Sequence, residues 1–186
     1  MQRRQLARAV GALPFLAATP MLAPKRAEAA TRTEIVADVN AALARLHGMD
    51  NARPLFRSAR AVLVFPRIIS GGFIVGGQYG EGALIRGGSA VSFYNIAGLS
   101  FGLLAGAQAG GLAMFFMTED SLRALMAADG WEIGTGPTVV VLDRGVQANA
   151  TSTTLTEPVY AITFNQAGLM AAIALNGTKI TRINPA

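Results

Sequence analysis

A chain of 186 residues, 52% hydrophobic and only 15% charged, can bury one real core and lacks the composition of a disordered protein. With no cysteine and one histidine, His47, it excludes disulfides, thiol catalysis and Cys-ligated metal, and leaves a His-based metal cluster or a Ser-His-Asp triad one residue to be built on. The net charge of +5 is concentrated before Ala30, and residues 30–186 hold eleven basic against ten acidic residues, net +1, too little for sequence-independent binding along nucleic acid.

Arg3-Arg4 opens the chain, Ala9 to Ala23 is a short apolar stretch broken by Pro14 and Pro20, and Ala27-Glu28-Ala29 puts small residues where a signal peptidase reads. The apolar part, about 15 residues, is short of the roughly 20 that span a bilayer. These features predict a cleavable export signal over 1–29, a single mature domain over 30–186, and a destination in the periplasm or outer envelope. Arg3-Arg4-Gln5-Leu6 resembles a twin-arginine signal, and a general secretory signal that begins with two arginines fits the same residues.

Thr31-x-x-Glu34 is a capping box, and Ile35, Val36, Val39, Leu43 and Leu46 follow at helical spacing until Gly48. A second, short helix can begin near Pro54 and reach about Ala59. Ala61 to Phe65 is an apolar strand closed by Pro66, and Phe73 to Arg86 reads as a glycine-interrupted strand that turns at Gly87-Gly88 into Ser89 to Ile96. Thr118-Glu119-Asp120 caps a helix that ends before Gly130. Short β-prone pieces follow at Thr138 to Leu142, Val159 to Phe164, Ala171 to Leu175 and Thr178 to Ile183, with a polar connection from Arg144 to Glu157 and a turn at Asn176-Gly177. The expected fold class is α+β: an antiparallel, barrel-like sheet with about three helices packed on its outside.

A transmembrane reading competes for the middle of the chain. Residues 87–118 carry no charge, and Ile96 to Met117 spans 22 residues with Gly98, Gly102, Gly106 and Gly110 at a four-residue period. A period of four is also a multiple of two, and the alternation of Leu99, Phe101 and Leu103 with small or polar neighbours equally suits strands. With Gly111 the span holds five glycines, which would cost a water-soluble helix about 5 kcal/mol relative to alanine.

No phosphate-binding glycine motif occurs. Glu81, between Gly80 and Gly82, is the one carboxylate whose surroundings could tune it for acid–base work, and a solvent-facing or paired strand residue explains it as well. No catalytic residue, metal or cofactor is therefore expected. Charge is more informative: residues 30–67 sum to +3 and residues 68–186 to −2. Arg53, Arg57 and Arg60 stand at i, i+4 and i+7, on one face of any helix carried through them. Arg67 then opens a candidate loop, 67–72, in which Ile68 and Ile69 could dip into a membrane interface.

The run from Ala61 to Pro66, then Gly72 to Gly82, Phe93-Tyr94, Gly98 to Gln108, Met117-Thr118-Glu119 and Gly168 to Gly177 resembles the SYLF domain over nearly all of residues 30–186. The resemblance implies a soluble module that binds phosphoinositides and has no known catalytic activity; some eukaryotic relatives also bind actin. The resulting expectation is an exported module that meets anionic phospholipids or phosphoinositides peripherally through Arg53, Arg57, Arg60, Arg67, Ile68 and Ile69. At about 1 kcal/mol per basic side chain near an anionic surface, four arginines supply about 4 kcal/mol, or a dissociation constant near millimolar. The other class of function is a structural envelope protein that binds another protein through its sheet, indifferent to lipid charge.

Overall fold

The computed structural model describes residues 30–72, 75–101, 108–142, 155–167 and 177–186. The expected export signal, the strand over Ala171 to Leu175, Asn176 of the turn and most of the Arg144 to Glu157 connection lie outside them.

Helix α1 (Arg32–His47) starts on the capping box: Glu34 N–H donates to Thr31 Oγ1 at 3.3 Å while Thr31 N–H donates to Glu34 Oε2 at 2.8 Å. Helix α2 (Arg53–Ser58) follows with a proline in its first turn. Strands β1 (Ala61–Gly72), β2 (Val75–Arg86) and β3 (Ser89–Phe101) form a meander with β4 (Gln108–Phe116) paired on the other side of β1. Gly87 and Gly88, at φ of 60° and 81°, make the tight β2–β3 turn that few other residues could adopt. Helix α3 (Glu119–Ala127), capped by Thr118, is followed by β5 (Trp131–Glu132), β6 (Val139–Val141), β7 (Val159–Ala167) and β8 (Lys179–Ile183).

The eight strands of the described residues form one sheet in the order β5-β8-β3-β2-β1-β4-β7-β6, antiparallel except for β6 against β7. Trp131 from one edge strand and Val139 from the other meet in the same apolar cluster, so the sheet curls around it into a half-barrel. Phe65, Ile68, Leu84, Tyr94, Ile96 and Leu112 fill that enclosed face, with Leu122 and Leu125 of α3. The outer face carries α1 and α2: Ile35, Val39, Leu46 and Leu55 bury against Val64, Ala83, Phe93, Phe115 and Ile162. The α+β, barrel-like architecture expected from the sequence is thus the one adopted.

The described residues of the charge-free middle form strands β3 and β4 with the turns beside them, where the competing reading places a membrane helix, and no helix among the described residues is long and apolar enough to cross a bilayer.

Pro66 does not end its strand. One extra residue on β1 shifts register between Val64↔Ala83 and Arg67↔Glu81 on one side, and between Phe65↔Leu112 and Ile68↔Gly110 on the other. A bulge leaves one residue out of the ladder, so proline, which has no N–H to donate, is tolerated in a central strand there. The swollen backbone leans on β2, where a Cβ at Gly82 would lie 2.1 Å from the Val64 carbonyl oxygen and one at Gly80 2.7 Å from that of Arg67. The candidate loop 67–72 is therefore strand, and the parity change turns Ile68 inward, 1% exposed, instead of toward a membrane.

Candidate lipid-binding site

Strand β7 also carries an extra residue opposite β4, where Ala109↔Ala167 and Gly111↔Phe164 are successive partners. The irregularity holds Asn165, whose φ of 52° lies in the left-handed region that asparagine tolerates better than most side chains. Between the two bulges, beneath α1, a cleft of about 430 Å³ is lined by Asp38 and Arg45 of α1, Arg67 of β1 and Asn165 of β7. Asp38 and Arg45 are two helical turns apart and so share one side of α1. Without its bulge β1 would turn position 67 to the enclosed face beside Phe65; with it, Arg67 faces α1.

Two guanidinium groups against one carboxylate leave the cleft cationic, and arginine's planar fork suits phosphate or carboxylate oxygens held in pairs. Among the described residues no salt bridge engages Arg45 or Arg67. The sequence carries no separate signal for Arg45, since a cation in the last turn of α1 is what the helix dipole alone favours.

The remaining expected arginines lie elsewhere. Arg53 pairs with Asp50 at 3.1 Å, and helix α2 ends at Ser58, so Arg60 is not on the helical face that the spacing suggests. Its N–H instead donates to the Phe116 carbonyl oxygen at 2.7 Å, at the start of β1. Seven residues of strand at about 3.3 Å each put Arg60 roughly 20 Å from Arg67. The single patch of Arg53, Arg57, Arg60 and Arg67 is thus divided along β1, and the structure joins Arg67 to Arg45.

Beyond the cleft, the outer face of the sheet is apolar and open. Ile69, Tyr79 and Leu99 are 49%, 48% and 62% exposed. Ile69 is the register partner of Tyr79, Tyr79 of Ala97, and Leu99 lies diagonally across from Tyr79 opposite Gly77. The three form one patch that starts two residues from Arg67. From Ile68 to Gly80 and from Gly87 to Met117 no charged residue occurs in the sequence.

Glu81 is occupied on both oxygens, accepting from Tyr79 Oη at 2.7 Å on Oε1 and from Ala30 N–H at 3.0 Å on Oε2. Burial, with help from that bond and the Glu81 charge, pushes the Tyr79 hydroxyl above its usual value, partly offset by Asn95. His47 stacks on Phe56 with ring centroids 4.1 Å apart. No group of three or more His, Asp or Glu among the described residues is placed to hold a metal ion.

Residues 97–185 match the model of the Ysc84 family, described as Las17-binding protein actin regulator. No curated protein matches the chain.

Proposed function

Since residues 97–185 match the model of the Ysc84, or SYLF domain, family, a family associated with lipid binding and with protein interaction, we propose that the chain is an exported module of this kind that binds anionic phospholipid surfaces. The observation that carries this reading is the adjacency of the Arg45–Arg67 cleft to the exposed patch of Ile69, Tyr79 and Leu99. A phosphate-bearing head group fits the cleft, and the neighbouring apolar side chains meet the acyl boundary beneath it. Phosphoinositides are the head groups with the most phosphate to offer two arginines. Arg53, Arg57 and Arg60 add longer-range attraction, weakened at Arg53 by Asp50.

Two arginines contribute about 2 kcal/mol at an anionic surface, and partial burial of three half-exposed apolar side chains adds a comparable amount. The sum corresponds to a dissociation constant near millimolar, so useful residence on a membrane needs several copies acting together.

The test is a titration of the purified protein with anionic and with zwitterionic vesicles. Binding should prefer the anionic vesicles, weaken with salt, and fall at least tenfold in Arg45→Glu/Arg67→Glu, with a smaller loss in Arg57→Glu/Arg60→Glu. Equal binding of wild type and Arg45→Glu/Arg67→Glu removes the cleft from the mechanism. Indifference to vesicle charge favours the other reading, a structural envelope protein holding a protein partner through its sheet, toward which the family's description as an actin regulator points.

A further inference from the structure

The bond from Ala30 to Glu81 joins residues 51 positions apart and seats the chain just before the cap of α1. In the uncut chain this nitrogen belongs to a neutral amide with one hydrogen to give. Hydrolysis of the Ala29–Ala30 peptide bond adds water across it: the Ala29 carbonyl carbon leaves as a carboxylate with residues 1–29, and the Ala30 nitrogen takes up protons as an ammonium. The same atom, already 3.0 Å from Glu81 Oε2, then carries a full charge and three donors.

We infer that Glu81 is the seat for the α-ammonium released at Ala30 by proteolysis, with Tyr79 orienting the carboxylate. The inference rests on the export reading, because it needs the cut after Ala29. Charge-assisted hydrogen bonds are about twice as strong as neutral ones, so processing strengthens a contact that the fold has already formed. The seat is rigid, since Gly80 and Gly82 on either side of Glu81 are pressed against β1 too closely to admit a Cβ. The carboxylate has its charge to give: Arg67, its register partner on β1, forms no salt bridge with it. The other groups near the seat are Tyr79 on the same strand, Asn95 opposite on β3, Arg32 and Glu34 in the first turn of α1, where Glu34 is engaged by the Thr31 cap and Arg32 lies over the Phe93 ring, and Ala186, whose carbonyl oxygen accepts from Arg32 N–H at 2.9 Å and so brings a second acceptor to the same helix start.

A carboxylate in hydrogen-bond contact should raise the α-ammonium pKa by about one unit or more above its ordinary 7.7–8.0. The full chain is purified, cut in its folded state by a leader peptidase, and the Ala30 amine titrated by NMR. Its labelling by an amine-selective reagent at neutral pH is followed in parallel, where a one-unit rise slows reaction about tenfold. The expected result is a raised pKa and protection in the wild type, both lost in Glu81→Gln. The cut form should also melt above the uncut form. That advantage is present below about pH 7.7 and lost as pH rises through the folded-state value. An α-ammonium that titrates at its ordinary value in the wild type overturns the seat, and this measurement needs no variant to fold. Mass determination on protein recovered from the envelope tests the premise separately: a first residue other than Ala30 overturns the processing reading, whereas Ala30 with an unshifted amine overturns the seat alone.

Discussion

Gln78 Nε2 donates to Thr178 Oγ1 at 2.7 Å across 100 residues of chain, and both side chains are buried. The bond ties β2 to the start of β8 over the intervening β3, which is glycine at that point. A Cβ on Gly98 would stand 3.0 Å from the threonine hydroxyl and 3.1 Å from the glutamine nitrogen. Removing a buried hydrogen-bond partner costs about 1–3 kcal/mol, so Thr178→Val should lower the unfolding free energy by that amount and shift the denaturation midpoint down accordingly, and Thr178→Ser should retain most of the stability. Equal midpoints for valine and wild type in chemical denaturation would show that the clasp contributes nothing net.

Gly82→Ala tests the bulge. The new methyl group collides with the Val64 carbonyl, which is backbone held in a central strand, so relief requires β1 and β2 to separate. Overpacking of this kind costs about 1–3 kcal/mol and occasionally more, and a loss at the upper end is expected by thermal or chemical unfolding. Gly71→Ala, on β1 where no atom lies within 4 Å of an added Cβ, should cost well under that.

Ile69 and Ile68 should report opposite environments. Ile69→Trp places a fluorophore on the open apolar patch, so anionic vesicles should shift its emission to the blue and quench it less by aqueous agents. Ile68→Ala should leave vesicle binding nearly unchanged while costing about 2–5 kcal/mol of stability, as expected for truncating a fully buried isoleucine.

Tyr79 should ionise above its ordinary value near 10. The cause is burial first, then its hydrogen bond to Glu81 and the charge of that carboxylate. In Glu81→Gln the titration followed by phenolate absorbance should move back only part of the way, since burial persists. A folded-state pKa raised in this sense favours the fold below the unfolded value and is lost as pH climbs through the folded one. The stability that wild type holds over Tyr79→Phe should therefore be full below about pH 10 and shrink as the phenol ionises at higher pH, a narrowing that chemical denaturation at a series of pH values measures.

Much of the fold is legible in local sequence because its signals are local. The Thr31 capping box, the Gly87-Gly88 turn and the Thr118 cap each satisfy their hydrogen bonds or φ angles within a few residues, and each marks its element correctly. Pro66 shows where local signals stop. Proline reads as a strand terminator because it cannot donate to a ladder, and only pairing with both β2 and β4 reveals that a bulge dispenses with that donor. The parity of everything downstream follows, so Ile68 and Arg67 exchange the faces that simple alternation from Phe65 would assign. The cleft was illegible for the same reason: Arg45, Arg67 and Asn165 lie on α1, β1 and β7, and nothing in their spacing signals that they meet.

Among the described residues the half-barrel ends at strands of two and three residues, β5 and β6. Stubs that short offer a neighbouring molecule too few free amides and carbonyls to template a continuing ladder. Were copies to gather at high density on a bilayer, as the proposed function requires, they could thus lie side by side without fusing their sheets into fibrils.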